Sequence, residues 1–400
     1  MAITNSNGTN GAQPGLWITG LGHQYPAYLW RPESIDEVAA RFYDIEQVGI
    51  KKLLQINRAT GIDQRPSVMD PNSSPILHRP EMPTITDLNA IWHKAGVDLS
   101  AQACRKALKE WGGALSDITH IVACTTTCYG NPGVDLLVAE RLGLGPDVER
   151  VLLAGVGCAG GMAIMRVAAE VALAATARQR PARILAFACE VATTNVRQEL
   201  ADAAARTSPE DISIAAALFS DGAAAFVLCN DAGKQNTPPL FQLMDWNHAT
   251  IPNTMQETTW APGPTGYLSV LTRNVATATV AAIPPMFAKM LPFIRDNAAA
   301  GLPHAATAAD LDWALHPGGK AIINKVQELM GLTEAQLSAT KQVYKTRGNS
   351  SSPTVLIVLD MLRKAKGGKD DVVAVGFGPG LTIEMAFLRR CHSVDDDDSD

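Results

Sequence analysis

The sequence predicts an α/β fold built as a duplication, two similar halves packed together, and three observations predict it. Strand-like apolar runs alternate with helix-compatible stretches along the whole chain. Short turns rich in glycine separate them. The order of strand, polar turn, helix and hairpin then recurs in the second half.

In the first half, "ITHIVACTT" (118–126), "VERVLLAG" (148–155) and "ARILAFACE" (182–190) read as buried strands. Between the last two, "GGMAIMRVAAEVALAATARQR" (160–180) is apolar on nearly every face, as a helix inside a core would be. "ALFSDGAAAFVLCN" (217–230) reads as two short strands around an Asp-Gly turn. Residues 232–266, with several prolines and glycines, read as a connector with some strand content that covers the site. In the second half, "LDWALHPGG" (311–319) is a strand ending in a polar loop. "GNSSSPTVLIVLDMLRKAKGG" (348–368) is a glycine-led turn entering a helix, and "DVVAVGFGPGLTIEMAFLRR" (371–390) is a hairpin. Aligning the halves sets "ACTTTC" against "ALHPGG", "GVGCAGG" against "RGNSSS", and "FSDGAAAFVL" against "GFGPGLTIEMAFL". The expected divisions are a disordered lead (1–15), a first half (16–235), a second half (236–390) and a disordered acidic tail (391–400).

Composition narrows the function. The chain is 46% hydrophobic and 18% charged, enough to build a large core. Its net charge of −6 comes mostly from the aspartates at 395–398 and 400, and no basic stripe argues for nucleic acid. The longest apolar stretches are interrupted by glycines or charges, so no membrane span is expected. Seven cysteines in mostly apolar settings suit reduced thiols and a cytoplasmic protein. Cys124 and Cys128 form the only close pair and lack a second ligand pair, so no metal site is expected.

The stretch "VLLAGVGCAGGMAIMRV" (151–167) admits two chemistries. Gly155, Gly157 and Gly160 satisfy G-x-G-x-x-G, the turn that cradles a dinucleotide pyrophosphate. The motif lies deep in the chain, however, and the acidic residue, Glu190, comes too late. The alternative is a strand–turn–helix elbow presenting Cys158 as a nucleophile, where a helix start favours thiolate. Such a sulfur needs a base and a donor for developing oxyanions. His316, directly after a strand, and Asn349, at the position matching Cys158 in the second half, are the candidates. Individually they read as an inert buried thiol, an ordinary histidine and a helix cap; at three matching loop ends they read as a site.

Together "GVGCAGGMAI", "ALFSDGAAAFVL", "ALHPGGKAI", "RGNSSSPTVLIVLDMLRK" and "GFGPGLTIEMA" resemble the type III polyketide synthases, the chalcone-synthase-like branch of the thiolase superfamily. The resemblance runs in matching order from about residue 16 to 390. It implies a duplicated αβαβα thiolase-like fold, a homodimer, and a triad of Cys158, His316 and Asn349. It also implies acyl-CoA and malonyl-CoA as substrates, with no cofactor besides these thioesters. Phe219 matches a gate between CoA tunnel and cavity. Thr126, Ser269, Ser351 and Gly378 match cavity positions, with Trp260 as the alternative to Ser269. Lys51, Lys52, Arg58, Gly318, Gly319 and Ala321 match CoA contacts, and loop 125–133 matches one that crosses the dimer interface through Asn131.

Small side chains at these cavity positions leave room for a long acyl tail, worth about 0.8 kcal/mol per buried CH₂. "AGVGCAGG" and "RGNSSSP" resemble fungal members primed with fatty acyl-CoA. The expected activity is therefore repeated decarboxylative condensation, closing to an alkylpyrone, alkylresorcinol or alkylresorcylic acid. Its rivals are an enzyme that condenses once, like ketoacyl synthase III, a non-catalytic scaffold on the same fold, and a nicotinamide-dependent dehydrogenase.

Overall fold

The structure is a computed structural model that describes residues 14–209, 212–234, 238–296, 307–365 and 367–391. Most of the expected lead and all but Cys391 of the expected acidic tail lie outside these residues.

The first half opens with β1 (Leu16–Gln24) and β2 (Tyr28–Trp30), then α1 (Pro32–Phe42), α2 (Val48–Ala59) and β3 (Arg65–Ser67). Next come α3 (Ile85–Ile91), α4 (Val97–Trp111), β4 (His120–Cys124), α5 (Val134–Leu142) and β5 (Glu149–Leu153). It closes with α6 (Gly160–Ala177), β6 (Arg183–Val191), α7 (Val196–Ala204), α8 (Ala215–Leu218) and β7 (Asp221–Asn230). The second half has β8 (Phe241–Thr250), β9 (Thr258–Gly263), β10 (Gly266–Leu271), α9 (Asn274–Asp296) and β11 (Asp312–Leu315). After these come α10 (Lys320–Met330), α11 (Ser338–Arg347), α12 (Thr354–Leu362), β12 (Asp371–Gly378) and β13 (Thr382–Arg390).

Nine strands hydrogen-bond in the order β11-β12-β13-β8-β1-β7-β6-β4-β5. Only two residue pairs, Trp17 with Gln242 and Ile18 with Phe241, join β1 to β8, so the ladder is a seam between two sheets. Strand periodicity explains the layers. On β6, Ile184, Ala186 and Ala188 face a central core, while Leu185, Phe187 and Cys189 face an outer one. On β12, Val372 and Ala374 face the same central core, and Val373, Val375 and Phe377 face a third. Helices α6 and α12 pack on each other in the middle; α4 and α5 cover the first sheet, and α9 and α10 the second. The result is the five-layered αβαβα arrangement of a thiolase-like fold. Both middle helices meet apolar surface over most of their circumference, α6 leaving only a narrow strip with Glu170 exposed, which is why their sequences carry little polar face.

Two expectations need correction. Residues 221–230 form one ten-residue strand rather than a hairpin, because every position is buried and residues 223–229 have ladder partners on both β6 and β1. Residues 241–250, expected within a connector, form β8, the strand that carries the seam. Among the described residues two helical segments, Gly157–Ala177 and Asn274–Pro292, are long and apolar enough to cross a membrane, where none was expected. The first is the central core helix. The second packs on β8 and β13 and contains Pro284, Pro285 and Pro292.

Candidate active site

Cys158 sits in a one-turn 3-10 helix, Gly157–Ala159, that runs directly into α6. Gly157 has φ +51°, and a Cβ there would lie 2.4 Å from the Pro379 ring. A Cβ on Gly160 would lie 2.4 Å from Cys124 Sγ. These glycines are thus filled by the protein's own loops, and the dinucleotide reading loses the open backbone it needs.

The second half delivers the other two groups. His316 follows β11, and its N–H donates to Val375 O at 2.8 Å, extending the ladder by one residue. Asn349 follows Gly348 (φ +71°), the counterpart of Gly157, in the loop that leads into α12. Its backbone is tied to the first half: Asn349 N–H donates to Leu218 O, and Ser220 N–H donates to Asn349 O. Asn349 Oδ1 accepts from Ser351 N–H at 2.8 Å and from the Thr354 hydroxyl at 3.4 Å. With its oxygen engaged in the loop, the amide directs its NH₂ donors the other way.

Cys158, His316 and Asn349 line one cavity, together with Thr126, Phe219, Trp260, Gly318, Ser351 and Gly378. The space between these side chains, mouth included, is about 770 Å³. Phe219 meets Trp260 edge-on, their ring centroids 5.8 Å apart. Ser351 holds φ +60°, uncommon for a residue with a Cβ, and its hydroxyl lies 3.2 Å from Cys158 Sγ.

Electrostatics of the pair run in opposite directions from one cause. Burial pushes the Cys158 thiol up to about 11, and hydrogen bonds from Ser351 and Asn349 pull partly against it. Burial pushes His316 down to about 3, and both of its ring nitrogens are buried with no hydrogen-bond partner. Either charge alone is costly here, whereas a proton passed from sulfur to imidazole creates both charges together with no net charge in the cavity.

Glu190 lies behind the site, fully buried. It accepts from the N–H groups of Thr126 and Thr127, the Thr127 hydroxyl at 2.7 Å and the Ser352 hydroxyl at 2.6 Å. It therefore fixes two cavity loops from opposite halves.

Other expected positions lie elsewhere. Ser269 is absent from the cavity lining: its hydroxyl donates to Glu199, and its register partner Trp260 forms the wall. Lys51, Lys52 and Arg58 project from α2, where Lys51 pairs with Glu46 and Arg58 with Asp36. Gly319 and Ala321 lie at the start of α10, beside the cavity-lining Gly318. Lys320, missed from sequence although it follows "HPGG", brings its Nζ to 3.9 Å from the Cβ position of Gly61, so α10 begins beside the end of α2. Pro379 was also missed as a site residue, inside a "GFGPG" stretch that was recognised. Among the described residues no group of three or more His, Cys, Asp or Glu is placed to hold a metal.

Comparison with known proteins matches this picture. Residues 18–232 match the N-terminal domain, and residues 283–392 the C-terminal domain, of chalcone and stilbene synthases. The chain is 53% identical to type III polyketide synthase pspB of Penicillium soppii, over 96% of this chain and 98% of that one. It is 33% identical to acylalkylpyrone synthase csyB of Aspergillus oryzae, over 93% of this chain and 94% of that one. A type III pentaketide synthase structure from Neurospora crassa superposes with TM-score 0.88 at 41% identity, covering 94% of this chain and 99% of that one. With matched domains over most of its length and full-length relatives of this kind, the chain belongs to the chalcone and stilbene synthase family, the type III polyketide synthases.

Proposed function

We propose that this enzyme primes with a fatty acyl-CoA, extends it with malonyl-CoA on a Cys158–His316–Asn349 triad, and cyclises the product to an alkylpyrone, alkylresorcinol or alkylresorcylic acid. The observation that carries the triad is the meeting of these three side chains, from two halves of the chain, on one buried cavity.

His316 takes the thiol proton as Cys158 attacks the starter carbonyl. The acyl group passes to sulfur, and CoA leaves as the thiol once it is reprotonated. Malonyl-CoA then binds with its thioester oxygen toward the Asn349 NH₂ and an N–H of His316. These fixed donors stabilise the enolate left when CO₂ departs. The enolate carbon attacks the Cys158 thioester, sulfur leaves, and the lengthened chain, now carried on the extender's CoA, passes back to Cys158 with release of that CoA for the next round. The cavity wall, rich in apolar groups and small hydroxyls, suits an alkyl tail. Lys52, Arg58 and Lys320 are the cations proposed for the CoA phosphates. The edge strand β5, with Leu152 exposed beside Tyr129, is the surface proposed for a homodimer.

Cys158→Ala is expected to lose starter loading and product while retaining malonyl-CoA decarboxylation. Asn349→Ala is expected to lose decarboxylation about 100- to 1000-fold; normal decarboxylation in that variant would remove Asn349 from the mechanism. Decanoyl-CoA with malonyl-CoA, followed by mass analysis, separates repeated from single condensation.

A further inference from the structure

Strands β9 and β10, which carry the Trp260 wall, pair only with each other among the described residues. No main-sheet ladder fixes this ribbon; side chains of α7 and the turn before it do, with two backbone bonds beside them, from Ile85 N–H to Pro264 O and from Gly380 N–H to Thr258 O. Asn195 accepts from Tyr267 N–H at 2.7 Å and donates to Tyr267 O at 2.9 Å. Ser269, directly opposite Trp260 in register, donates to Glu199 Oε1 at 2.7 Å. Asn195 Nδ2 donates to the same oxygen at 2.9 Å. Tyr267 in turn stacks on Trp260 with ring centroids 5.2 Å apart.

A second pocket shares Ala192, Phe219 and Trp260 with the reaction cavity and is also lined by Trp30, Arg65 and Glu199. Trp260 is therefore a partition. The pocket beyond it is mostly apolar in its lining, and Arg65 Nη2, Glu199 Oε2 and Trp260 Nε1 are buried without hydrogen-bond partners. The wall between the two spaces hangs on a ribbon held by a few side-chain bonds and two backbone ones.

We propose that Glu199 is a positioning residue: through Ser269 and Asn195 it holds the ribbon so that Trp260 closes the reaction cavity, and thereby sets the longest acyl chain that cavity admits. This rests on the acyl-CoA priming proposed above. Glu199 touches no reacting atom. When its Oε1 acceptor is lost, Ser269 and Asn195 lose their common anchor, Trp260 can shift, and the two spaces join.

The test compares wild type, Glu199→Ala and Glu199→Gln with hexanoyl-, decanoyl-, myristoyl- and stearoyl-CoA as starters. In Glu199→Ala, kcat/KM for the longer starters relative to hexanoyl-CoA rises through KM, about fourfold for each methylene newly accommodated. Malonyl-CoA decarboxylation without starter stays at the wild-type rate. Glu199→Gln keeps an acceptor oxygen and restores the wild-type profile. An unchanged profile in a folded Glu199→Ala enzyme overturns the proposal, as does a Gln variant that shifts as far as Ala. If Glu199→Ala does not fold, Ser269→Ala removes one bond of the clamp and must shift the profile in the same direction; no shift overturns it. If wild type uses none of these starters, fatty-acyl priming fails, and the crystal structure of the Ala variant decides the clamp alone: Trp260 displaced supports it, Trp260 unmoved overturns it.

Discussion

From the seam outward, the first half runs β1, β7, β6, β4 and the second runs β8, β13, β12, β11. Corresponding neighbours pair in the same sense: antiparallel for β1–β7 and β8–β13, antiparallel again for β7–β6 and β13–β12, parallel for β6–β4 and β12–β11. The halves differ in their connections. Residues 192–220 join β6 to β7 and hold α7, α8, Phe219 and the buried Glu199, whereas residues 379–381 join β12 to β13 in a tight turn that seats Pro379 on Gly157. The difference teaches where each kind of function resides. Groups proposed for bond-making occupy matched loop ends in both halves, whereas the shaping of the cavity is proposed to depend on an insertion that only the first half carries, which holds Phe219 and Glu199 and anchors the second half's Trp260 ribbon.

The largest effect should come from removing the base that pairs the halves chemically. His316→Ala is expected to lower condensation about 1000-fold. Alkylation of Cys158 by iodoacetamide near neutral pH should fall at least about tenfold, because a lone thiol in this buried site keeps its proton. Labelling at the wild-type rate would show that sulfur and imidazole do not share a proton.

A smaller effect tests the insertion. Burial raises the Glu199 carboxyl to about 7, against an ordinary 4.5, with Ser269, Ser213 and Asn195 pulling down and the Asp202 charge pushing up. Folding therefore raises its affinity for a proton. The folded state keeps that proton between pH 4.5 and 7 while the unfolded state releases it, so this residue's contribution to stability falls as pH rises through the window. The loss reaches about 3 kcal/mol above pH 7. Glu199→Gln cannot titrate, so denaturant melts should show it gaining on wild type from pH 4.5 to 7.5. Identical pH slopes would place the carboxyl in a better solvated setting. Nothing matches this acid in the short turn of the second half.

The same contrast explains what was legible in the sequence. Matched loop ends carry strong local signals, namely a lone cysteine between glycines, a histidine after a strand, and an asparagine leading a helix, so all three cavity groups could be read directly. The central helices were legible because burial over most of their surface leaves little amphipathic periodicity. Residues 217–230 misled because an Asp-Gly pair, ordinarily a turn signal, lies at the start of a strand where the Asp221 carboxylate accepts from Thr193 and Val68 N–H. Ser269 misled because the ribbon's placement, which puts Trp260 at the wall, rests on bonds to Asn195 and Glu199, far away in sequence. Glu199 and Arg65 gave no signal at all; a buried charge looks like a surface charge until its surroundings are known.

The smallest effect compares the two glycines that precede the cavity residues. Both have positive φ, so alanine is strained at either; Gly348, at φ +71° and ψ −149°, lies in a region open essentially to glycine alone, where the strain is on the order of 1–3 kcal/mol. Their surroundings differ. A Cβ at Gly157 falls 2.4 Å from the rigid Pro379 ring, whereas one at Gly348 falls 3.0 Å from Arg65 Cγ and Leu218 O. At Gly348 the Leu218 carbonyl is backbone and Arg65 is tied to Ala216 O and Phe219 O, so a few tenths of an ångström must be found there too; at Gly157 the overlap with the Pro379 ring is deeper. Through steric overlap Gly157→Ala should therefore cost about 1–2 kcal/mol more than Gly348→Ala in denaturant unfolding. It should also displace the β12–β13 turn from Cys158, whereas Gly348→Ala should leave Cys158 labelling unchanged. Equal costs would mean that the Pro379 turn yields as easily as the Arg65 side chain, and the second half's short connection would no longer count as the rigid support of the nucleophile.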